Sequence, residues 1–232
     1  MEIVFKANTV QEYKKLLLDA DFRVPERSDG RTKDDVEKYD LSHLLLCLMQ
    51  CDLLTFPLEL IHRNRPDFLL VMGNKSIGIE HTEAIHQNIA HKEFLMDQNN
   101  GPSTWFISPI SPNDLSKSKK ELMKEIQENA HGDGWWGDSP EISWKEVMLH
   151  FIQKKLSIAQ KVGYEKFDEN WLLIYNNWSL PSLNIYGVIP TFFQEVKNSG
   201  ALKEFDRIFI TKDKEFCDIS STGVTVHNVD NL

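Results

Sequence analysis

The sequence predicts an α/β domain built on one mixed β-sheet flanked by helices, with a long insertion after the third strand of a central meander. Three observations predict it. Apolar residues recur at helical spacing up to Cys51, alternate between Leu58 and Thr82, and return to helical spacing from Trp144. The stretch from about Ala84 to Ser143 has an irregular texture, broken by Ser108-Pro109 and Ser111-Pro112. Helices therefore precede and follow a strand meander, which suits a layered α/β or α+β domain with a mixed sheet.

Composition narrows the class further. The chain has 232 residues, 41% hydrophobic and 26% charged, which is ample for a packed core and excludes disorder over the whole length. Its longest apolar run, Leu44 to Met49, is far short of the ~20 residues that span a bilayer. The opening Met1-Glu2-Ile3-Val4-Phe5-Lys6 has no secretory h-region, so the expected location is the cytoplasm, with no membrane partner. Cys47 and Cys51 lie one helical turn apart in an apolar segment and Cys217 is distant, so buried free thiols are expected. A net charge of −9, from 26 Lys+Arg against 35 Asp+Glu, means that any contact with nucleic acid must come from a local basic patch.

Along the chain, Thr9-Val10-Gln11-Glu12 has capping-box spacing and opens a helix through about Asp21, and Pro25 to Lys33 reads as a polar loop. A second helix, about Asp34 to Cys51, carries Leu41, Leu44, Leu45 and Leu48 as a core stripe and completes an N-terminal helical part, about residues 1–51. Leu58 to His62, Asp67 to Met72 and Ser76 to Thr82 read as three strands. The insertion, about 84–143, holds Gly101-Pro102, a lysine-rich helix from Asn113 to Asn129, and the loop Gly132-Asp133-Gly134-Trp135-Trp136-Gly137. The core, about 52–83 and 144–232, resumes with a helix over Trp144 to Tyr164, a buried strand over Asn170 to Tyr175 and a helix over Pro190 to Ser199. Arg207 to Thr211 and Val224 to Val229 are the last two strands expected.

The chemistry concentrates around one hairpin. Gly73-Asn74 between two alternating runs is a two-residue turn signal, with Gly73 taking the positive φ of a type II′ turn. If Met72 pairs with Lys75, Asp67 lies directly opposite Glu80, while Phe68, Leu70, Met72, Ile77, Ile79 and His81 share the core face. Carboxylates directly opposite on a sheet are ~5 Å apart at Cβ and repel, so the pair needs a divalent metal or a lysine. Mg²⁺, commonly held by one or two carboxylates, suits it. Gly78 would leave room for a ligand to approach the sheet. A register error of one residue would instead place Asp67 and Glu80 on opposite faces as ordinary surface.

The helix from Trp144 supplies a second clue. At ~100° per residue, the mean direction of Val147, Met148, Leu149, Phe151, Ile152, Leu156, Ile158, Ala159 and Val162 coincides with Lys155, whereas Lys154 and Lys161 point away. A lysine at the centre of an apolar face either snorkels to water or meets a carboxylate or an anionic substrate. His81, His86 and His91 recur every five residues, ~140° apart around a helix, and so do not form a zinc face.

Pro66-Asp67, twelve residues, then Glu80-x-Thr82 resembles the PD-(D/E)XK nuclease superfamily, whose restriction-endonuclease-like fold has a helix, a three-strand meander, a helix and a further strand in this order. The resemblance covers roughly residues 34 to 176, excluding the insertion. It implies a Mg²⁺- or Mn²⁺-dependent endonuclease in which Asp67, Glu80 and the backbone carbonyl of His81 bind metal. The position two after Glu80, usually lysine, is Thr82 here. Some members of the superfamily move the lysine to the following helix, which points to Lys155, and Thr82 would then hydrogen-bond a metal-bound water. An acidic residue of the preceding helix sometimes joins such sites, and Glu37 and Asp40 both qualify. The implied substrate is nucleic acid, DNA rather than RNA, in a defence or restriction role, with a homodimer and a loading partner protein as further expectations. The rival reading is an inactive relative serving as a binding or assembly module.

For substrate contacts the expected residues are Arg63, Arg65, Lys119 and Lys120, with Trp135 and Trp136 stacking on an unpaired base. The competing explanations are a solvated helix face and aromatics that pin a loop. There is no P-loop, GxGxxG or nucleophile elbow, so nucleotide hydrolysis and serine-type catalysis have no support.

Overall fold

Eight strands lie side by side in chain order: β1 (Glu2–Ala7), β2 (Leu58–His62), β3 (Phe68–Met72), β4 (Lys75–Glu83), β5 (Glu169–Tyr175), β6 (Arg207–Lys212), β7 (Glu215–Ser220) and β8 (Gly223–Asn228). The structure is a computed structural model that describes residues 2–19, 24–27, 29–98, 108–128, 134–212 and 215–228. β4, β5 and β6 are parallel, and the flanking pairs are antiparallel, so the sheet is mixed as expected. Each parallel step needs a crossover. The first contains α3 (Gln87–Gln98), α4 (Lys119–Gln127) and α5 (Ser139–Ala159), and the second contains α6 (Ile185–Ser199).

Helices cover both faces. α1 (Val10–Asp19) and α2 (Lys33–Gln50) pack on one, α5 and α6 on the other. Strand β5 shows why: Trp171 and Leu173 enter the core under α2, and Leu172 and Ile174 enter the core under α5, so the run Trp-Leu-Leu-Ile is buried on both sides. Among the described residues, no helix is long and apolar enough to cross a membrane.

The hairpin has the expected register. Met72 pairs with Lys75 and Phe68 with Ile79, and Gly73 has φ 58°. Phe68, Leu70, Ile77 and Ile79 are fully buried in the core beneath α2. α2 starts from a reciprocal capping box in which Thr32 accepts from the Asp35 amide and Asp35 accepts from the Thr32 amide.

Several expectations need correction. Residues 2–7 form a strand, so the N-terminal part is not purely helical; its unbroken apolar run Ile3-Val4-Phe5 does not alternate. The insertion contains α3, whose Ile89 and Leu95 are buried, and α4 is shorter than expected. α5 begins at Ser139, with Pro140 in its first turn, and ends at Ala159, which leaves Val162 fully exposed rather than on the apolar stripe. β7 was not expected, although its Phe216, Cys217 and Ile219 are buried. Gly101-Pro102, Gly132-Asp133 and Val229 lie outside the described residues. All three cysteines are free; Cys47 and Cys217 are buried and Cys51, at the C-cap of α2, is half-buried.

Candidate functional site

Asp67 stands one residue before β3, where continuation of the ladder sets it across from Glu80 of β4. Both are almost fully buried, at 5% and 4% exposure. Lys155 descends onto them from α5. Its Nζ lies 2.7 Å from Glu80 Oε2 and 3.3 Å from Asp67 Oδ2, so it meets carboxylates rather than snorkelling to water. The neighbouring Lys154 is exposed and sits 5.9 Å from the centre of the Phe151 ring. The helical-wheel argument therefore selects the right lysine.

Other groups hold the carboxylates in place. The amide of His81 donates to Asp67 Oδ2 at 2.8 Å, and Lys33 Nζ donates to Asp67 Oδ1 at 3.4 Å. Burial alone would raise the Asp67 pKa; the charge of Lys155, the His81 amide and the charge of Lys33 outweigh it and hold the carboxyl below the usual range. The Tyr164 hydroxyl donates to Glu80 Oε1 at 3.0 Å. Burial, followed by the adjacent Glu80 charge, pushes the Tyr164 phenol well above its ordinary value, so it remains a hydrogen-bond donor.

Tyr164 and Lys33 are site residues that sequence reasoning missed. Tyr164 was assigned to the end of the helix but occupies the turn after α5. Lys33 was assigned to a polar loop, yet it is the first residue of α2, and the Thr32 cap was its available signal.

The two acidic candidates on α2 separate clearly. Glu37 Oε1 is 2.5 Å from Lys33 Nζ, which also reaches Asp67, and Glu37 Oε2 is 3.0 Å from His62 Nε2. Asp34, Glu37 and His62 each place a ligand atom within 4.8 Å of the others, a geometry that could take a cation. Asp40 instead pins the His81 ring, with Oδ2 2.6 Å from Nε2. Burial, opposed by His81, raises the Asp40 pKa. The His81 ring is thus held on the α2 side while its amide serves Asp67. His86 is tied to the Asp114 carbonyl, the Asn88 amide and the edge of Trp178. The His81 and His86 rings therefore hold structure, and His91 lines a cleft that His81 also borders.

Two clefts meet at Lys155. One, of about 550 Å³, is lined by Asp67, Glu80 and Tyr164, with the exposed Arg65 at its rim. The other, of about 760 Å³, carries Thr82, His91 and Phe94 and five cationic side chains, Arg27, Arg31, Lys33, Lys154 and Lys155, against the carboxylates of Glu37 and Glu83. Its charge thus opposes the net −9 of the chain.

Arg63 is engaged elsewhere: it pairs with Glu165 and lies over the Phe167 ring at 5.3 Å, fastening the loop before β5 to the end of β2. Lys119 and Lys120 are exposed in the first turn of α4. Trp135 is half-buried and Trp136 is 78% exposed, with its amide donating to Ser139 Oγ. None of these four residues lines either cleft. Gly78 serves packing rather than ligand access: a Cβ there would stand 2.5 Å from the Phe167 ring and 3.0 Å from Pro66 Cγ.

No known family model, curated protein or solved structure matches the chain.

Proposed function

We propose that the chain is a metal-dependent nuclease of the restriction-endonuclease-like type that hydrolyses phosphodiester bonds of nucleic acid. The observation that carries this reading is the convergence of Asp67, Glu80 and Lys155, with Lys155 Nζ 3.3 Å from one carboxylate and 2.7 Å from the other. Two opposed buried carboxylates destabilise a sheet unless cations neutralise them. An ammonium group from a separate helix, beside a cation-rich cleft, is suited to receive a phosphate.

The donor set fits a hard divalent ion. Asp67 and Glu80 offer carboxylate oxygens, and the positive charge facing them comes from lysines that an ion would displace. These two residues, with the His81 carbonyl, would hold Mg²⁺ or Mn²⁺. When bound, the ion supplies Lewis-acid stabilisation of phosphoryl charge and a more acidic water.

The chain's own residues supply the rest. Lys155, released from Glu80, offsets the negative charge growing on the scissile phosphate and orients the attacking water. Tyr164 holds Glu80 Oε1, fixing the rotation of that carboxylate. Lys155, the His81 amide and Lys33 offset the burial of Asp67 and hold its carboxyl below the usual range. Thr82, which lines the cationic cleft and not the one that holds Asp67 and Glu80, would have to reach a metal-bound water from that side.

The test is hydrolysis of plasmid, linear duplex and single strands in Mg²⁺ or Mn²⁺, by wild type and by Asp67→Ala and Glu80→Ala. Metal-dependent cleavage lost in both variants supports the proposal. Binding of nucleic acid without cleavage in any condition supports an inactive binding module, to which the Thr82 departure lends weight.

A further inference from the structure

The cationic cleft beside Lys155 has aromatic as well as charged walls. His91 and Phe94 lie side by side on α3, with ring centroids 6.4 Å apart, and both line the cleft and remain partly exposed. Arg31 and Lys154 line the same cleft. Arg31 is poorly satisfied: its Nη2 is 3.6 Å from Glu83 Oε1, and its buried Nε has no hydrogen-bond partner. That same Glu83 oxygen already accepts from Arg27 Nη2 at 3.2 Å and from Asn177 Nδ2 at 2.6 Å. The buried Nε cannot itself meet a ligand, but the long contact to an oxygen that already has two donors leaves the terminal nitrogens of Arg31, on the cleft wall, able to take an incoming anion.

A groove that combines backbone-seeking cations with an aromatic platform suits unpaired nucleic acid, whose bases expose their faces for stacking. A paired duplex hides those faces. The cleft volume of about 760 Å³ is on the scale of small-ligand pockets (roughly 300–1,000 Å³), room for a few unpaired nucleotides rather than a turn of double helix. Resting on the nuclease reading, we infer that this cleft seats a single strand: Phe94, with His91, stacks on a base, Arg31 and Lys154 bind phosphates, and the strand leads its next phosphodiester to Lys155.

The test is equilibrium binding, followed by fluorescence anisotropy in EDTA so that cleavage plays no part. The probes are 5′-labelled single-stranded DNA and RNA 12-mers, a blunt hairpin duplex and a labelled mononucleotide, against wild type, Phe94→Ala, Phe94→Tyr and Lys154→Gln. At least one single strand should bind tenfold or more tighter than the duplex. Phe94→Ala should lose about tenfold of that affinity, the loss of one stacked base, and Phe94→Tyr should keep it. Lys154→Gln should shallow the salt dependence by about one phosphate contact. Equal or tighter duplex binding, an unchanged Phe94→Ala in a protein of unchanged melting temperature, or a mononucleotide that binds as tightly as the 12-mers would overturn the inference. Single-strand binding through Phe94 with no hydrolysis in Mg²⁺ or Mn²⁺ would retain the cleft and overturn the nuclease. Hydrolysis of blunt duplex that is indifferent to Phe94→Ala would do the reverse.

Discussion

The ammonium group of Lys155 lies 2.7 Å from Glu80 Oε2, joining α5 to β4 across 75 residues of chain. With Asp67 also in reach, one cation bridges two buried carboxylates and offsets half of their charge. Lys155→Met would leave that pair facing each other with only Lys33 nearby, and breaking a buried ion pair costs ~3–5 kcal/mol. The variant should unfold at lower urea than wild type, and Mn²⁺ should raise its midpoint by more than it raises that of wild type. An equal or smaller metal response in Lys155→Met would argue against metal binding at Asp67 and Glu80.

Tyr164 reaches the same carboxylate from the other side. Tyr164→Phe removes one hydrogen bond to a charged group, worth ~1.5–3 kcal/mol, and leaves the ring. Cleavage should fall by about tenfold or more with the metal requirement unchanged. An unchanged rate would assign Tyr164 to packing alone.

The shifted carboxyls of Asp67 and Asp40 act oppositely on stability. The Asp67 carboxyl titrates lower in the folded protein than in the unfolded chain, so its contribution is present above the ordinary carboxylate range (~4) and is lost as pH falls through the folded value. The Asp40 pKa is raised, so ionising it costs stability, and protonation on acidification returns that stability. Urea unfolding between pH 7 and pH 3 should show a shallower acid loss for Asp67→Asn than for wild type, and a steeper one for Asp40→Asn. The opposite ordering would contradict these environments.

Gly78→Ala places a methyl 2.5 Å from the Phe167 ring. Overpacking of this kind costs ~1–3 kcal/mol. Thermal melting should show that loss, and pairing the change with Phe167→Leu should recover part of it. A neutral Gly78→Ala would mean that Phe167 moves freely.

The thiols give a check on burial. Burial pushes the Cys47 and Cys217 thiols up to about 12, whereas Cys51 is half-buried. At pH 8 a thiol of that pKa is ~10⁻⁴ thiolate. Ellman's reagent should modify Cys51 alone in the native protein, and all three cysteines after denaturation.

Legibility in the sequence followed periodicity. The alternation of Phe68 to Met72 and Ile77 to Glu80, hinged on Gly73-Asn74, was enough to set the register and bring Asp67 opposite Glu80. The helical wheel placed Lys155 inward because the apolar residues from Val147 to Ala159 share one direction strongly enough to absorb Val162, which lies beyond the end of α5. β1 carries the unbroken apolar run Ile3-Val4-Phe5 and β7 the adjacent pair Phe216-Cys217, so neither shows the strict alternation that marks β3 and β4. α3 went unseen because it presents only Asn88, Ile89 and Leu95 as buried positions. Tyr164 and Arg31 sit in irregular segments where spacing carries no direction, so only the folded chain brings them to the site. Gly78 was visible as a glycine in a strand, but what approaches it, Phe167 from 89 residues away, was not.

If Asp67, Glu80 and Lys155 act as one catalytic unit, the single-turnover rate of Mn²⁺-dependent cleavage of a labelled strand by wild type, Asp67→Asn, Glu80→Gln and Lys155→Met, each verified as folded by circular dichroism, tests it most directly. Metal-dependent cleavage is expected in wild type, with a loss of about a hundredfold or more in every variant. Cleavage that persists in any folded variant, or a wild type that hydrolyses nothing, would contradict it.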